Sequence, residues 1–465
     1  MSHYSSFKFM MEPRSVAVVG ASDNPKKVGH IILQNFIDMG YAGKIYPVNI
    51  NSTGRIAGLK SYKSLRDIGE SVDFVVIAVP AEVVPSVLDD CGAAKSKSVV
   101  VVSGGFAEVG SVELQRQLAD KAKKYGFALL GPNCLGVMNM RNHVNTMFLP
   151  LYKFDSPKLG GVSFASQSGA VGSTVLDMVS NEGFGIAKFI SYGNAVDLDE
   201  VDILDYLAHD PDTRVIIFYL EGVKRGREFL EAAKRTTKVK PVVVIKGGMS
   251  PAGASAVRSH TASLAGSYQA YEAAFRQSGI VQADSLDDLL DYAKIFETEP
   301  LSKGPSVAVI TNGGGAGVLA TDSIYDNRLV MPELEKETAA TLRKAMPPIV
   351  NIRLPLDMAG DADDKRFEAA LNAIGGDPNV DMIITIALFQ TPGADSAVAA
   401  SIINYKAGIT KPLVVVSSGG SYTQAHRRMM ESSNVPVYSS PEQAARALAA
   451  LYKYSKTRGA IRKTK

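Results

Sequence analysis

One histidine stands apart in this chain. His260 lies in Ser259-His260-Thr261-Ala262-Ser263-Leu264-Ala265-Gly266, a run of small residues. An apolar run at 241–246 precedes it, and a helical pattern at 269–276 follows. A core histidine would have bulky apolar neighbours, and this one has none. Its imidazole titrates near neutrality and can act as a nucleophile or proton carrier. Taken alone it reads more readily as an idle loop histidine. Its chemistry depends on what the rest of the chain supplies.

Two loops supply a ligand of the right kind. Ser166-Gln167-Ser168-Gly169 and Asn312-Gly313-Gly314-Gly315 each follow a strand-like run and open a helical pattern. A helix start exposes unpaired N–H groups and the positive end of the dipole, favouring an anion by about 0.3–2 kcal/mol. Each loop could be no more than a tight turn. Together with His260 they predict a phosphoryl group held between two helix N-termini.

A third loop, Gly20-Ala21-Ser22-Asp23-Asn24-Pro25-Lys26-Lys27-Val28-Gly29, departs from G-x-G-x-x-G, because Ser22 replaces the second glycine. Asn49 and Asn51 stand where NAD would need an acidic ribose ligand. Lys26 and Lys27 favour a ligand that carries phosphates. The pattern points to a nucleotide other than NAD. No G-x-x-x-x-G-K-[ST] loop occurs, so a phosphoryl donor is expected on another polypeptide.

The elements that must position these loops read as three α/β units, over 1–150, 151–300 and 301–465, with a polar linker at 297–305. Apolar runs recur at 15–19, 44–48, 74–79, 98–102 and 128–130, then at 161–164, 187–191, 215–219 and 242–246. A last set falls at 307–311, 382–387, 413–417 and 435–438. Helical patterns between them argue for parallel sheets covered on both faces. The second and third units look like copies. Both place a small-residue loop after the first strand, and later an Asp-Pro pair (Asp210-Pro211, Asp377-Pro378) before another strand.

Composition narrows the function. Net charge is +3, so no strong field calls for nucleic acid or an anionic membrane. No apolar run reaches membrane-spanning length and no secretory leader is expected. The two cysteines, Cys91 and Cys134, fit a reducing cytoplasm. His143, His209 and His426 lack ligand spacing, so no metal site is expected. Cys134 has no evident base and reads as structural, and His30 as packing.

Five motifs, in order, carry a resemblance. They are Gly20-Ala21-Ser22 with Lys27-Val28-Gly29, Gly131-Pro132-Asn133-Cys134-Leu135-Gly136, Ser166-Gln167-Ser168-Gly169, Tyr219-Leu220-Glu221-Gly222 and Ser259-His260-Thr261. Through them the chain, from about Met11 to Leu451, resembles the α subunits of ADP-forming acetyl-CoA synthetases, within the succinyl-CoA synthetase superfamily. The resemblance implies a Rossmann-like CoA-binding domain followed by two flavodoxin-like (succinyl-CoA synthetase-like) domains. It implies that phosphate attacks an acyl-CoA, and that the acyl phosphate passes its phosphoryl group to His260 and then to ADP. Glu221 would hydrogen-bond the imidazole. Phosphate would lie at Ser166, Gln167, Ser168, Gly169, Asn194, Gly313, Gly314 and Gly315. CoA or acetyl-CoA would lie at Gly20, Ala21, Ser22, Lys27, Val28, Gly29, Asn49, Val79, Pro80, Ser103, Gly104 and Asn133. Mg-ADP or Mg-ATP would sit mainly on an ATP-grasp β subunit in an α2β2 assembly.

Some residues depart from the family's pattern. Ala262 replaces the glycine after His-Thr, Tyr268 replaces a common Asp, and Lys26 stands where glycine often precedes the lysine. The segment ending at Asp357 is longer than the usual Asn-Pro-x-Asp, and Asp197 is an open assignment. A non-catalytic CoA sensor and an NAD-dependent Rossmann enzyme remain the alternatives.

Overall fold

A computed structural model describes residues 3–255 and 268–459. Its first sheet is built from β1 (Ser15–Val19), β2 (Lys44–Val48), β5 (Phe74–Ile77), β6 (Ser98–Val101) and β7 (Ala128–Leu130), with a small hairpin of β3 (Arg55–Ile56) and β4 (Leu59–Lys60) beside it. The strand order is β2-β1-β5-β6-β7, and the pairs are parallel. β1, β5, β6 and β7 are buried along their whole length, which is why they read as unbroken apolar runs.

The second sheet carries β8 (Gly136–Asn139), β9 (Val144–Asn145), β10 (Leu159–Ser166), β11 (Ile186–Ser191), β12 (Val215–Leu220), β13 (Val242–Lys246) and β14 (Val281–Ala283), ordered β14-β13-β12-β10-β11-β8-β9. The third carries β15 (Val307–Thr311), β16 (Leu356–Asp357), β17 (Met382–Ile386), β18 (Leu413–Val416) and β19 (Val437–Tyr438), ordered β16-β15-β17-β18-β19. Set aside the antiparallel pair β8 and β9, and all three sheets share one doubly wound order. The chain is α/β, as expected.

The internal repeat reaches into local bonding. Lys240 donates to the carbonyl of Asp210, and Lys411 to the carbonyl of Asp377 at 2.6 Å. Ile216 N–H then bonds Pro241 O, and Ile383 N–H bonds Pro412 O. Each Asp-Pro turn is thus tied by a Lys-Pro pair to the start of the next strand.

Several elements went unseen in the sequence. A helix, His3–Met11, precedes β1; its Phe7 stacks on Tyr206 at 5.1 Å. The short strands β8, β9, β14 and β16 have too few residues to show a period. The chain packs as two compact units, Met1–Asn181 with Gly185–Gln282, and Glu182–Phe184 with Ala283–Lys465. Helix Leu286–Thr298 falls in the second of these and packs on helix Pro441–Thr457. The polar stretch read as a linker, 297–305, begins within the last turn of that helix.

Lys188 interrupts the apolar run of β11. It is fully buried, with Nζ 2.8 Å from Asp210 and 3.2 Å from Asp212. Removing one partner of a buried pair strands the other charge. Lys188→Met is expected to lower stability by about 3–5 kcal/mol in urea unfolding. A loss below about 1 kcal/mol would mean that Asp210 is stabilised without Lys188.

Candidate functional site

A cavity of about 570 Å³ opens at the carboxyl ends of β1, β2 and β5. This is the switch point of the sheet, where ligands of such folds bind. Of the residues expected to hold CoA, Gly20, Ser22, Lys27, Asn49, Val79 and Pro80 line it. Gly20 has φ 95°, and a Cβ there would lie 2.3 Å from Ala78 O. A Cβ on Gly29 would lie 2.0 Å from Gly20 O, so the helix Val28–Asp38 can start this close to the loop only with glycine there. Asn49 donates to Ala21 O at 2.7 Å and accepts from Asn51 N–H, which holds the loop in shape. Ala21, Val28 and Gly29 do not line the cavity; they form its scaffold. Lys63, delivered by the β3–β4 hairpin, adds a second cation beside Lys27.

Ser103, Gly104 and Asn133 fall in a neighbouring cluster. Ser103 Oγ donates to Val79 O at 2.6 Å, and Asn133 N–H donates to Ser103 O at 2.9 Å. Asn194, expected at the phosphate loop, is drawn here instead. Its Nδ2 donates to Glu108 at 2.6 Å and Gln115 at 2.9 Å, and its N–H bonds Pro132 O. The Gly-Pro-Asn turn therefore joins the first sheet to the second. Asp197 accepts from Leu129 N–H at 2.8 Å, which gives it a place in that joint. Cys134 is buried and donates to Val101 O; burial pushes its thiol up to about 12, so it is no nucleophile at neutral pH. His30 Nδ1 lies 2.9 Å from Ser22 O, a packing contact at the loop.

The loop after β10 spends its side chains on itself. Ser166 Oγ donates to Ser168 O at 2.6 Å, and Ser168 Oγ caps Val171 N–H. Gln167 Oε1 accepts from the N–H groups of both Glu221 and Gly222, at 2.6 and 3.0 Å. What remains for an anion is the first-turn main chain of helix Gly169–Val179.

Glu221 follows β12 and is 4% exposed. Tyr219 hydrogen-bonds its carboxylate, and its Oε2 has no partner among the described residues. Lys246, at the end of β13, donates to Glu221 O at 2.8 Å. Tyr271 Oη accepts from Val223 N–H at 3.0 Å. His260 lies outside the described residues.

In the C-terminal unit, helix Gly314–Asp326 starts at Gly313 without a side-chain cap. Thr311 Oγ1 takes the Gly313 N–H, and Asn312 bonds Leu388 and Thr391. A Cβ on Gly314 would lie 2.6 Å from Asp357 Oδ2. A carboxylate thus stands at this helix start, and Gly315 meets open space. No group of three metal-binding side chains occurs among the described residues.

The chain matches three family models: a CoA binding domain over 14–140, a succinyl-CoA ligase like flavodoxin domain over 159–296, and a ligase-CoA domain over 307–462. It is 40% identical to the α subunit of acetate–CoA ligase [ADP-forming] I of Pyrococcus furiosus, over 97% of this chain and 98% of that one. The chain belongs to the family of ADP-forming acetyl-CoA synthetase α subunits. Acetate–CoA ligase [ADP-forming] of Methanocaldococcus jannaschii is 39% identical, and the chain spans 63% of its length. Among solved structures, an acetyl-CoA synthetase of Ca. Korarchaeum cryptofilum in complex with phosphate and ADP superposes with a TM-score of 0.92 at 38% identity, covering 98% of both chains.

For a synthetase α subunit, sequence reasoning passed over four polar residues at these places: Lys63, Glu108, Lys224 and Lys246. Each is a charge in a stretch without periodicity. A lysine closing an apolar strand, as Lys246 does, was a readable signal. Lys224 Nζ donates to Asn194 O and Ala195 O, both at 2.9 Å, and Lys224 N–H donates to Glu200.

Glu200 is 1% exposed, and burial with help from Asp199 raises its carboxyl from 4.5 to about 7. The folded state then holds the proton more tightly than the unfolded chain. Its stabilising contribution is full below pH 4.5 and is lost as pH rises to about 7. Wild type is expected to lose about 3 kcal/mol across that window from this group, at 1.36 kcal/mol per pH unit. Urea unfolding at about pH 5 and pH 8 should show a shallower decline in Glu200→Gln. An equal decline in both proteins would exclude the assignment.

Proposed function

We propose that the chain is the α subunit of an ADP-forming acyl-CoA synthetase. It interconverts acyl-CoA, ADP and phosphate with a carboxylic acid, CoA and ATP. Acetyl-CoA is the substrate named for its relatives. The carrying observation is Glu221. It offers one buried carboxylate oxygen without a partner among the described residues, and its loop is bonded to both flanks of the segment containing His260: to Lys246 upstream and, through Val223, to Tyr271 downstream. A buried acceptor of this kind calls for a donor.

In this reading CoA lies in the cavity of the first sheet, with its phosphates at Lys27 and Lys63. Volume and charge both suit it. Phosphate, held by the N–H groups opening helix Gly169–Val179, attacks the thioester carbonyl carbon. The C–S bond breaks and the thiolate of CoA leaves. An imidazole nitrogen of His260 then attacks phosphorus, and the carboxylate leaves. Glu221 accepts the other ring N–H, which fixes the tautomer and balances the imidazolium charge. A terminal oxygen of ADP takes the phosphoryl group as the P–N bond breaks.

The nucleotide is assigned to an ATP-grasp β subunit, in an α2β2 enzyme. The longer M. jannaschii relative supports this division, since 63% coverage leaves further chain in that protein for the same purpose. We place the enzyme in the cytoplasm. No helix among the described residues is long and apolar enough to cross a membrane.

Two outcomes test the reading. With β subunit, Mg²⁺ and radiolabelled ATP, wild type should take acid-labile, base-stable label. His260→Ala should take none, and Glu221→Ala should label about a hundredfold more slowly. Absence of label on wild type would leave a CoA-binding sensor as the better account. In steady-state assays, Lys27→Ala and Lys63→Ala should each raise the KM for CoA about tenfold while kcat holds, as expected for uniform binding lost. An unchanged KM would remove that lysine from the CoA site.

A further inference from the structure

Glu221 is buried at the end of β12, where a polar group needs partners. The groups that face it come from four places. Tyr219 is on its own strand, Gln167 reaches in from the loop after β10, and the Tyr192 hydroxyl follows β11. Lys246 comes from β13, where it pairs in register with Leu220. Tyr192 and Tyr219 are hydroxyls and Gln167 is neutral, so the positive charge in the set is Lys246. Glu200 adds a second carboxylate near Tyr192 and Tyr271.

The geometry of Lys246 is that of a fixed ammonium. It is 6% exposed. Its Nζ donates to Glu221 O at 2.8 Å and to Gly247 O, and lies 4.8 Å from the centre of the Tyr271 ring. Those acceptors are neutral, and no carboxylate forms an ion pair with Lys246 among the described residues. Burial pulls its pKa down, and Glu221 opposes that pull. Lys246 and Gln167 also clamp Glu221 from opposite sides of one peptide, at its carbonyl and at its N–H.

We propose that Lys246 is a positioning residue for Glu221: it pins the main chain of Glu221 and so holds the carboxylate where it can accept the imidazole N–H of His260. This rests on the reading that Glu221 orients His260. With its donors spent on carbonyls and its face on Tyr271, the ammonium acts through Glu221 rather than on the phosphoryl group.

The test compares wild type, Lys246→Met, Lys246→Gln and Lys246→Arg, each assembled with the β subunit, after thermal melts confirm folding. If Lys246→Met fails to fold, Lys246→Gln replaces it. Loss of the charge should slow labelling at least tenfold at neutral pH. Lys246→Arg should restore most of the rate. A slowing that Lys246→Arg does not rescue would show a packing role and overturn the proposal, as would an unchanged rate. Amide hydrogen exchange of the full chain separates this from the relay itself. The Glu221 and Gly222 amides should exchange about tenfold faster in Lys246→Gln than in wild type. If wild type takes no label yet that exchange quickens, the relay falls and the pinning of Glu221 stands. If the exchange does not change, the pinning falls whatever the labelling shows.

Discussion

A carboxyl group buried at the end of a parallel strand has to be held in place. At Glu221 the main chain is held by neighbouring strands. Gln167, one residue past β10, accepts the N–H groups of Glu221 and Gly222. Lys246, the last residue of β13, takes the Glu221 carbonyl. β12 lies between β10 and β13 in the sheet, so the order of strands itself decides that these two side chains meet across Glu221.

The same dependence explains why the loop sequence Ser166-Gln167-Ser168-Gly169 is polar without offering its side chains to a ligand. Ser166 and Ser168 bond the loop and the helix start, and Gln167 bonds the next loop. Shape is set by side chains, and binding is left to main-chain N–H groups and the helix dipole. The first sheet makes the opposite division. There glycine brings the helix start against the loop, and charged side chains, Lys27 and Lys63, stand in the cavity.

How much of this was legible follows from the same physics. Strands buried on both faces must be apolar throughout, so β1, β5, β6, β15 and β17 could be placed from the sequence. The loops at their carboxyl ends could be placed for the same reason. Strands of two to four residues, such as β9 and β16, carry no pattern, and helix His3–Met11 was hidden by its mixed face. Asn194 shows the limit at the site. The resemblance put it at the phosphate loop, and Glu108 and Gln115, some eighty residues earlier in the chain, take its amide. Pairings that distant depend on how two sheets meet, and no local window contains that.

That pairing matters for how the two chemistries stay in step. Asn194 binds the cluster beside Ser103 and Gly104 through its side chain, while its carbonyl takes the ammonium of Lys224. Lys224 lies three residues beyond Glu221, and its own N–H is held by buried Glu200. A continuous set of hydrogen bonds therefore runs from the strand ends of the first sheet to the turn that carries Glu221, inside one compact unit. Asn194 is half-buried and Glu200 is buried, so a bond broken at either leaves a group that water cannot easily rescue. A fold that passes a phosphoryl group from one place to another needs its two ends held in place. Polar joints at the carboxyl ends of neighbouring sheets supply that hold.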